Sequence, residues 1–279
     1  MIQTILLPVD GSANSGNALE YGVYIAPKLG ASLTGLHVID VFLIQGPMMT
    51  DVTATVGMPP YEGFLEAVET SLKEKADAIL ASFQKRCRAA GVACAAKTNI
   101  GKISDTIIEE AENADLILMA KKGEHFHLKE GGLIGSVAEV VIRKSGKPVL
   151  VTPESYREIE SMGLAYDGSP SAKKALALSL SLSEKAQWPI TVLIVNADAA
   201  KAADLSAQVE NMAERGAANC EVIISSGKEA EEILKFIKEG SVELMAMGAY
   251  GHNRLREWLL GSTTSTIIQK SPVPVLLIR

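Results

Sequence analysis

The sequence predicts an α/β protein built from the same unit twice, each unit a five-stranded, mainly parallel sheet with helices on both faces. Three observations carry this. Continuous apolar runs alternate with stretches of helical periodicity, which is how doubly buried strands and their crossover helices read. An apolar run ending in Asp-Gly-Ser occurs at residues 5–12 and again at 162–169. The elements that follow come in the same order both times, and a repeat this long signals duplicated domains and not a solenoid.

The first helix of each unit is expected over 13–29 and 170–187. Ser12 and Ser169 are natural N-caps, and Pro170 suits a first helical turn. Second strands follow at 32–39 and 190–196. A long charged helix reads over 61–90, with a shorter counterpart at 199–217. Third strands are expected at 92–98 and 220–225. Gly101-Lys102-Ile103-Ser104 and Gly227-Lys228-Glu229-Ala230 then open helices with apolar residues at helical spacing. Residues 115–120 and 242–247 read as fourth strands, and 146–151 and 271–278 as fifth. The polar stretch 153–161 separates two domains, 1–153 and 162–279. An exposed apolar edge strand is an association hazard, so the two last strands are expected to pair and join the domains as a pseudo-twofold pair.

A net charge of −6 gives no general attraction to nucleic acid or to an anionic membrane. With 47% hydrophobic and 22% charged residues, the balance is that of an ordinary soluble globular chain. The N-terminal residues read as a first strand and not as a signal peptide. Residues 41–61 carry one charge, Asp51, yet Gly46-Pro47, Gly57 and Pro59-Pro60 break the stretch too often for a spanning helix. It has no counterpart in the second half. It is read as an ordered apolar insertion, either a lid over its own domain or a contact for another chain or an apolar ligand. Cys87, Cys94 and Cys220 lack metal-ligand spacing, and reduced thiols in a cytoplasm are the plain reading. His125 and His127 form a His-x-His pair with few ligand candidates nearby.

After the apolar run 242–247 come Gly248 and Gly251, nine intervening residues, and then Gly261-Ser262-Thr263 at a helix start. A strand, glycine loop and helix in this order can present backbone N–H groups and a helix N-terminus to an anion. Glycines let the backbone approach a phosphate, and Ser262 and Thr263 add hydroxyl donors. Turn-making and capping alone would also explain these residues.

Gly248-x2-Gly251-x9-Gly261-Ser262 resembles the nucleotide-binding signature of the universal stress protein family, in its ATP-binding branch. The flanking apolar runs resemble that family too, and the likeness covers nearly the whole chain as a tandem pair. It implies Rossmann-like or flavodoxin-like domains that pair through their sheet edges, here within one chain, with a homodimer left open. It implies ATP in the second domain, held by Asp167, Val195, Asn196, Met247, Gly248, Gly251, His252, Gly261, Ser262, Thr263 and Thr264. Val195 and Asn196 would flank adenine and ribose, and Mg²⁺ could accompany ATP near Asp167. In an open parallel sheet these residues belong together at the carboxyl ends of the strands.

The first half departs from the signature. Ala120-Lys121-Lys122-Gly123 stands in place of Gly248-Ala249-Tyr250-Gly251, and eleven residues separate Gly123 from Gly135-Ser136. Asp10, Gly123, Gly135 and Ser136 are candidates for a weaker second site. Lys121 and Lys122 either offset phosphate charge or lie in a solvated loop.

The leading functional expectation is a regulatory module that senses or buffers ATP in a stress response, with no catalytic residue assigned. A slow Mg²⁺-dependent ATPase is the enzymatic alternative, although no Gly-x4-Gly-Lys-Ser/Thr loop is present. A Gly-x-Ser-x-Gly elbow is also absent. A third reading is a nucleotide-independent interaction protein that uses the 41–61 insertion.

Overall fold

The computed structural model describes residues 2–45, 64–123, 134–215, 220–240, 242–249 and 261–279. The first half contains β1 (Thr4–Pro8), the helix Ala13–Leu29, β2 (Ser32–Asp40), a short helix Val41–Gln45 and a long helix Phe64–Ala89. It continues with β3 (Cys94–Gly101), the helix Ile103–Ala111, β4 (Leu116–Ala120), the helix Ser136–Lys144 and β5 (Val149–Thr152). The second half repeats the order as β6 (Met162–Ala165), helix Pro170–Ala186, β7 (Ile190–Val195), helix Ala199–Arg215 and β8 (Cys220–Ser225). The helix Glu229–Glu239, β9 (Leu244–Gly248), the helix Ser262–Lys270 and β10 (Val275–Ile278) complete it.

The ten strands of the described residues form one sheet in the order β3-β2-β1-β4-β5-β10-β9-β6-β7-β8. Pairing is parallel within each half and antiparallel only where β5 meets β10, through Val275↔Val151, Leu276↔Leu150 and Leu277↔Val149. The expected meeting of the last strands is therefore what joins the halves. These residues are at most 3% exposed, and burying each large apolar side chain is worth roughly 1.5–3 kcal/mol. Two buried apolar layers, one on each face of the sheet, run without interruption from one half into the other. Among the described residues no helix is long and apolar enough to cross a membrane.

Local chemistry explains where the elements start. Ser12 and Ser169 each cap a first helix, accepting the N–H of Ser15 and of Ala172. Gly30 ends the first of these helices in the left-handed region, while Gln187 takes that conformation in the second, which therefore stops at Ala186. Asp115 accepts the N–H groups of Gln3 and Thr4, and Glu243 repeats this at Ser161, so a carboxylate pins the start of β1 and of β6. These backbone bonds, led by that of Gln3, hold the Asp115 carboxyl below its ordinary range.

Some boundaries differ from the sequence reading. β3 begins at Cys94, not 92, and runs to Gly101, because β2 extends to Asp40 and pairs with it as far as Asp40↔Gly101. Gly101 thus closes a strand and does not open a helix. Pro272 and Pro274 lack the N–H a ladder needs, and β10 starts only at Val275. Residues 41–45 of the insertion are helical, and the rest of it lies outside the described residues, as do His125 and His127. All three cysteines are free. Although Cys87 and Cys94 are seven residues apart, their thiols are neighbours, and burial with that neighbour pushes the Cys87 thiol up to about 12.

Candidate functional site

Because β9, β6 and β7 are adjacent and parallel, their carboxyl ends lie side by side. That edge brings Met247 and Gly248, Asp167, and Val195 with Asn196 into one corner of the second half. Asp167 is exposed, and its Oδ1 accepts the Ser169 N–H at 2.9 Å. Asn196 donates its N–H to the Ser225 carbonyl, and its Oδ1 accepts the Asp198 N–H. Met247 is buried among apolar residues beneath the edge. The helix Ser262–Lys270 reaches the same corner, where the buried Thr264 hydroxyl donates to the Ala249 carbonyl. Gly251 and His252 lie outside the described residues.

The start of that helix differs from the starts at Ser12 and Ser169. Gly261 occupies its N-cap and supplies no side-chain hydrogen bond to the first turn. Ser262 is exposed and Thr263 half-buried. A helix of this length leaves its first N–H groups without intrahelical partners, and its dipole favours an anion there.

Two glycines of the motif prove physically distinct. A Cβ at Gly248 would stand 2.6 Å from Ser171 Oγ and 2.9 Å from the Ala172 backbone nitrogen. Packing of β9 against the helix Pro170–Ala186 therefore demands glycine there. Among the described residues, a Cβ at Gly261 would meet only Thr264 Oγ1, at 3.7 Å, with an ordinary negative φ. Packing among the described residues gives no reason for glycine at 261.

The equivalent corner of the first half holds a cavity of about 430 Å³ at the carboxyl ends of β1, β2 and β4. Asp10 again makes an Asp-Gly-Ser turn, accepting the Ser12 N–H at 2.9 Å. Gly135 opens the helix Ser136–Lys144 without a side-chain cap, and its N–H donates to the Lys121 carbonyl. Asp10, Gly123, Gly135 and Ser136 are thus brought together, but on different terms. The position of a Cβ on Gly123 lies 2.8 Å from Asp10 Oδ2, so the carboxylate stands over the glycine. The two lysines have different surroundings, and Lys121 is not in a solvated loop. Lys121 is buried and donates from Nζ to the Gln269 carbonyl in the last turn of the helix Ser262–Lys270, while Lys122 pairs with Glu154 at 2.6 Å. Burial pulls the Lys121 ammonium below its ordinary pKa.

The cavity lining also includes residues that sequence reasoning did not single out, among them His37, Leu43, Lys75 and Ile107. His37 is buried, with Nδ1 2.7 Å from the Val9 carbonyl oxygen. A carbonyl only accepts, so Nδ1 carries the proton. No single-residue signal marks this pocket; only the alignment of strand ends would have found it. Among the described residues no cluster of three or more His, Cys, Asp or Glu could hold a metal ion.

The family described as "Universal stress protein family" matches residues 1–153 and again residues 158–279. A universal stress protein of Synechocystis sp. is 29% identical over 289 residues, spanning 100% of each chain. Another, from Methanocaldococcus jannaschii, is 32% identical over 160 residues, which is 57% of this chain and 86% of its own. A crystal structure of a universal stress protein from Archaeoglobus fulgidus superimposes with a TM-score of 0.76 at 26% identity, covering 99% of this chain and 96% of that one.

Proposed function

The chain belongs to the universal stress protein family, and from that premise we propose that it is an ATP-binding regulatory module whose nucleotide sits at the carboxyl edge of the second half. The observation that carries this is the helix start at Gly261. Among the described residues nothing caps it with a side chain, it is tied to the end of β9 through Thr264 and Ala249, and no described packing contact calls for its glycine. An anion is the natural complement of such a helix start. In this reading the N–H groups and hydroxyls of Ser262 and Thr263 receive phosphate oxygens. Asn196 and Val195 meet the adenosine, and Asp167 faces any Mg²⁺ that accompanies the phosphates. Gly251 and His252 join through the spacing of the motif. The units 1–153 and 162–279 are proposed as its two domains, only the second of which takes nucleotide.

ATP responsiveness in a stress response follows from binding, not from turnover. Native mass spectrometry of the purified protein with added ATP tests the reading, and one nucleotide per chain is the expected result. A spectrum showing only the free chain at millimolar ATP would remove it. Phosphate release measured with Mg²⁺ in the same samples separates a binding module from a slow ATPase.

A further inference from the structure

We propose that the cavity of the first half binds an apolar small molecule bearing no negative charge, and so serves a different class of ligand from the second half. Its volume, about 430 Å³, is in the range of small-molecule pockets. Its walls are mainly aliphatic, with Val38, Leu43, Leu72, Ile107, Met119 and Val137 contributed from six elements. Three carboxylates line it, those of Asp10, Asp40 and Glu139.

Of the three described lysines that line the cavity, two are engaged by groups outside its lining. Lys121 sends its ammonium out of the half altogether, to the Gln269 carbonyl 3.0 Å away. Lys122 is held by Glu154. Among the described lining residues, Lys75 then stands as one cation against three carboxylates. Over Gly123, where a phosphate would approach the backbone, stands the Asp10 carboxylate. Like charges at such range repel strongly away from bulk water. Ala120 adds a methyl group where the second half has Gly248.

What remains favourable is apolar contact and one oriented polar group. In its neutral form the His37 ring has Nδ1–H committed to Val9, so its other nitrogen is an acceptor. The expected ligand is therefore largely hydrophobic, with a hydroxyl or N–H donor at most.

Fluorescence titration of the full chain with Nile red, an uncharged dye, tests this, with the anionic dye ANS as counter-probe. Nile red should bind once per chain with a blue-shifted emission, and ANS at least tenfold more weakly. Ala138→Phe should fill the cavity and weaken Nile red at least tenfold. Leu43→Glu, at a half-exposed position on the rim, should do the same without disturbing the core, and circular dichroism checks that each variant folds. Saturating ATP should leave the dye in place. Displacement of Nile red by ATP, equal binding of ANS, or affinity unchanged in folded Leu43→Glu would each overturn the proposal. Failure of ATP to bind anywhere would sink the reading of the second half and leave these arms intact.

Discussion

Gly248 and Ala120 end equivalent strands, β9 and β4, at equivalent corners, yet a methyl group stands at one and has no room at the other. In the second half Ser171 and Ala172 crowd the strand end; in the first, the corresponding turn accommodates Ala120. Around them the corners diverge further. Both helices start at a glycine without a side-chain cap, but at Gly261 the described residues leave room for a Cβ, whereas at Gly135 one would press on the Lys121 carbonyl oxygen, 3.2 Å away. The first-half corner also has a carboxylate over Gly123 and both lysines engaged elsewhere. A motif glycine therefore says little until one asks what its missing side chain would strike. By that standard Gly248 is explained by the fold, and no described contact explains Gly261.

The sharpest way to break this comparison is Gly248→Ala. Its Cβ meets backbone as well as a side chain, so a loss of about 1–3 kcal/mol is expected in urea unfolding followed by circular dichroism. Ala120→Gly should cost less than about 1 kcal/mol, through backbone entropy alone. It should not create a second ATP site, because Asp10 and the engaged lysines remain. Next comes Gly261→Val, which should leave stability nearly unchanged while weakening ATP at least tenfold, about 1.4 kcal/mol. Ser136→Ala, at the matching helix start of the first half, should leave ATP affinity unchanged when both variants are titrated with ATP by calorimetry.

The halves also hold each other by cations at helix ends. Lys121 donates to the Gln269 carbonyl, and Arg279 donates to the Arg143 carbonyl, at equivalent places in the two last helices. Lys185 does likewise at Leu29. Lys121→Met should cost about 1 kcal/mol, since a charge that offsets a helix C-terminus is lost from a buried position. The sign of its pH dependence follows from burial. The folded pKa lies below the unfolded value of about 10.4, so between the two the unfolded chain holds more protons. Wild type should therefore gain stability relative to Lys121→Met as pH rises through that window, and a parallel course in both proteins would deny the burial. The smallest expected effect is Gln187→Gly, which relieves a left-handed residue where the first half already has Gly30 and should stabilise by about 0.5–1 kcal/mol in thermal unfolding.

Much of the fold was legible because strands buried on both faces must be continuous apolar runs, as at Leu116–Ala120 and Leu244–Gly248. The edge strand β3 was misplaced because its limits come from β2, not from its own half-exposed residues. The close approach of Gly248 to Ser171 and the reach of Lys121 to Gln269 were invisible for one reason: each partner lies far along the chain. The cavity of the first half was equally invisible, since its apolar lining comes from many elements and forms no local pattern.

Calorimetric titration of the intact chain with ATP, repeated on Gly261→Val, bears most directly on the difference between the corners. The expected result is one ATP per wild-type chain and at least a tenfold loss of affinity in the variant. Two equivalent sites, or a single site untouched by the substitution, would contradict it.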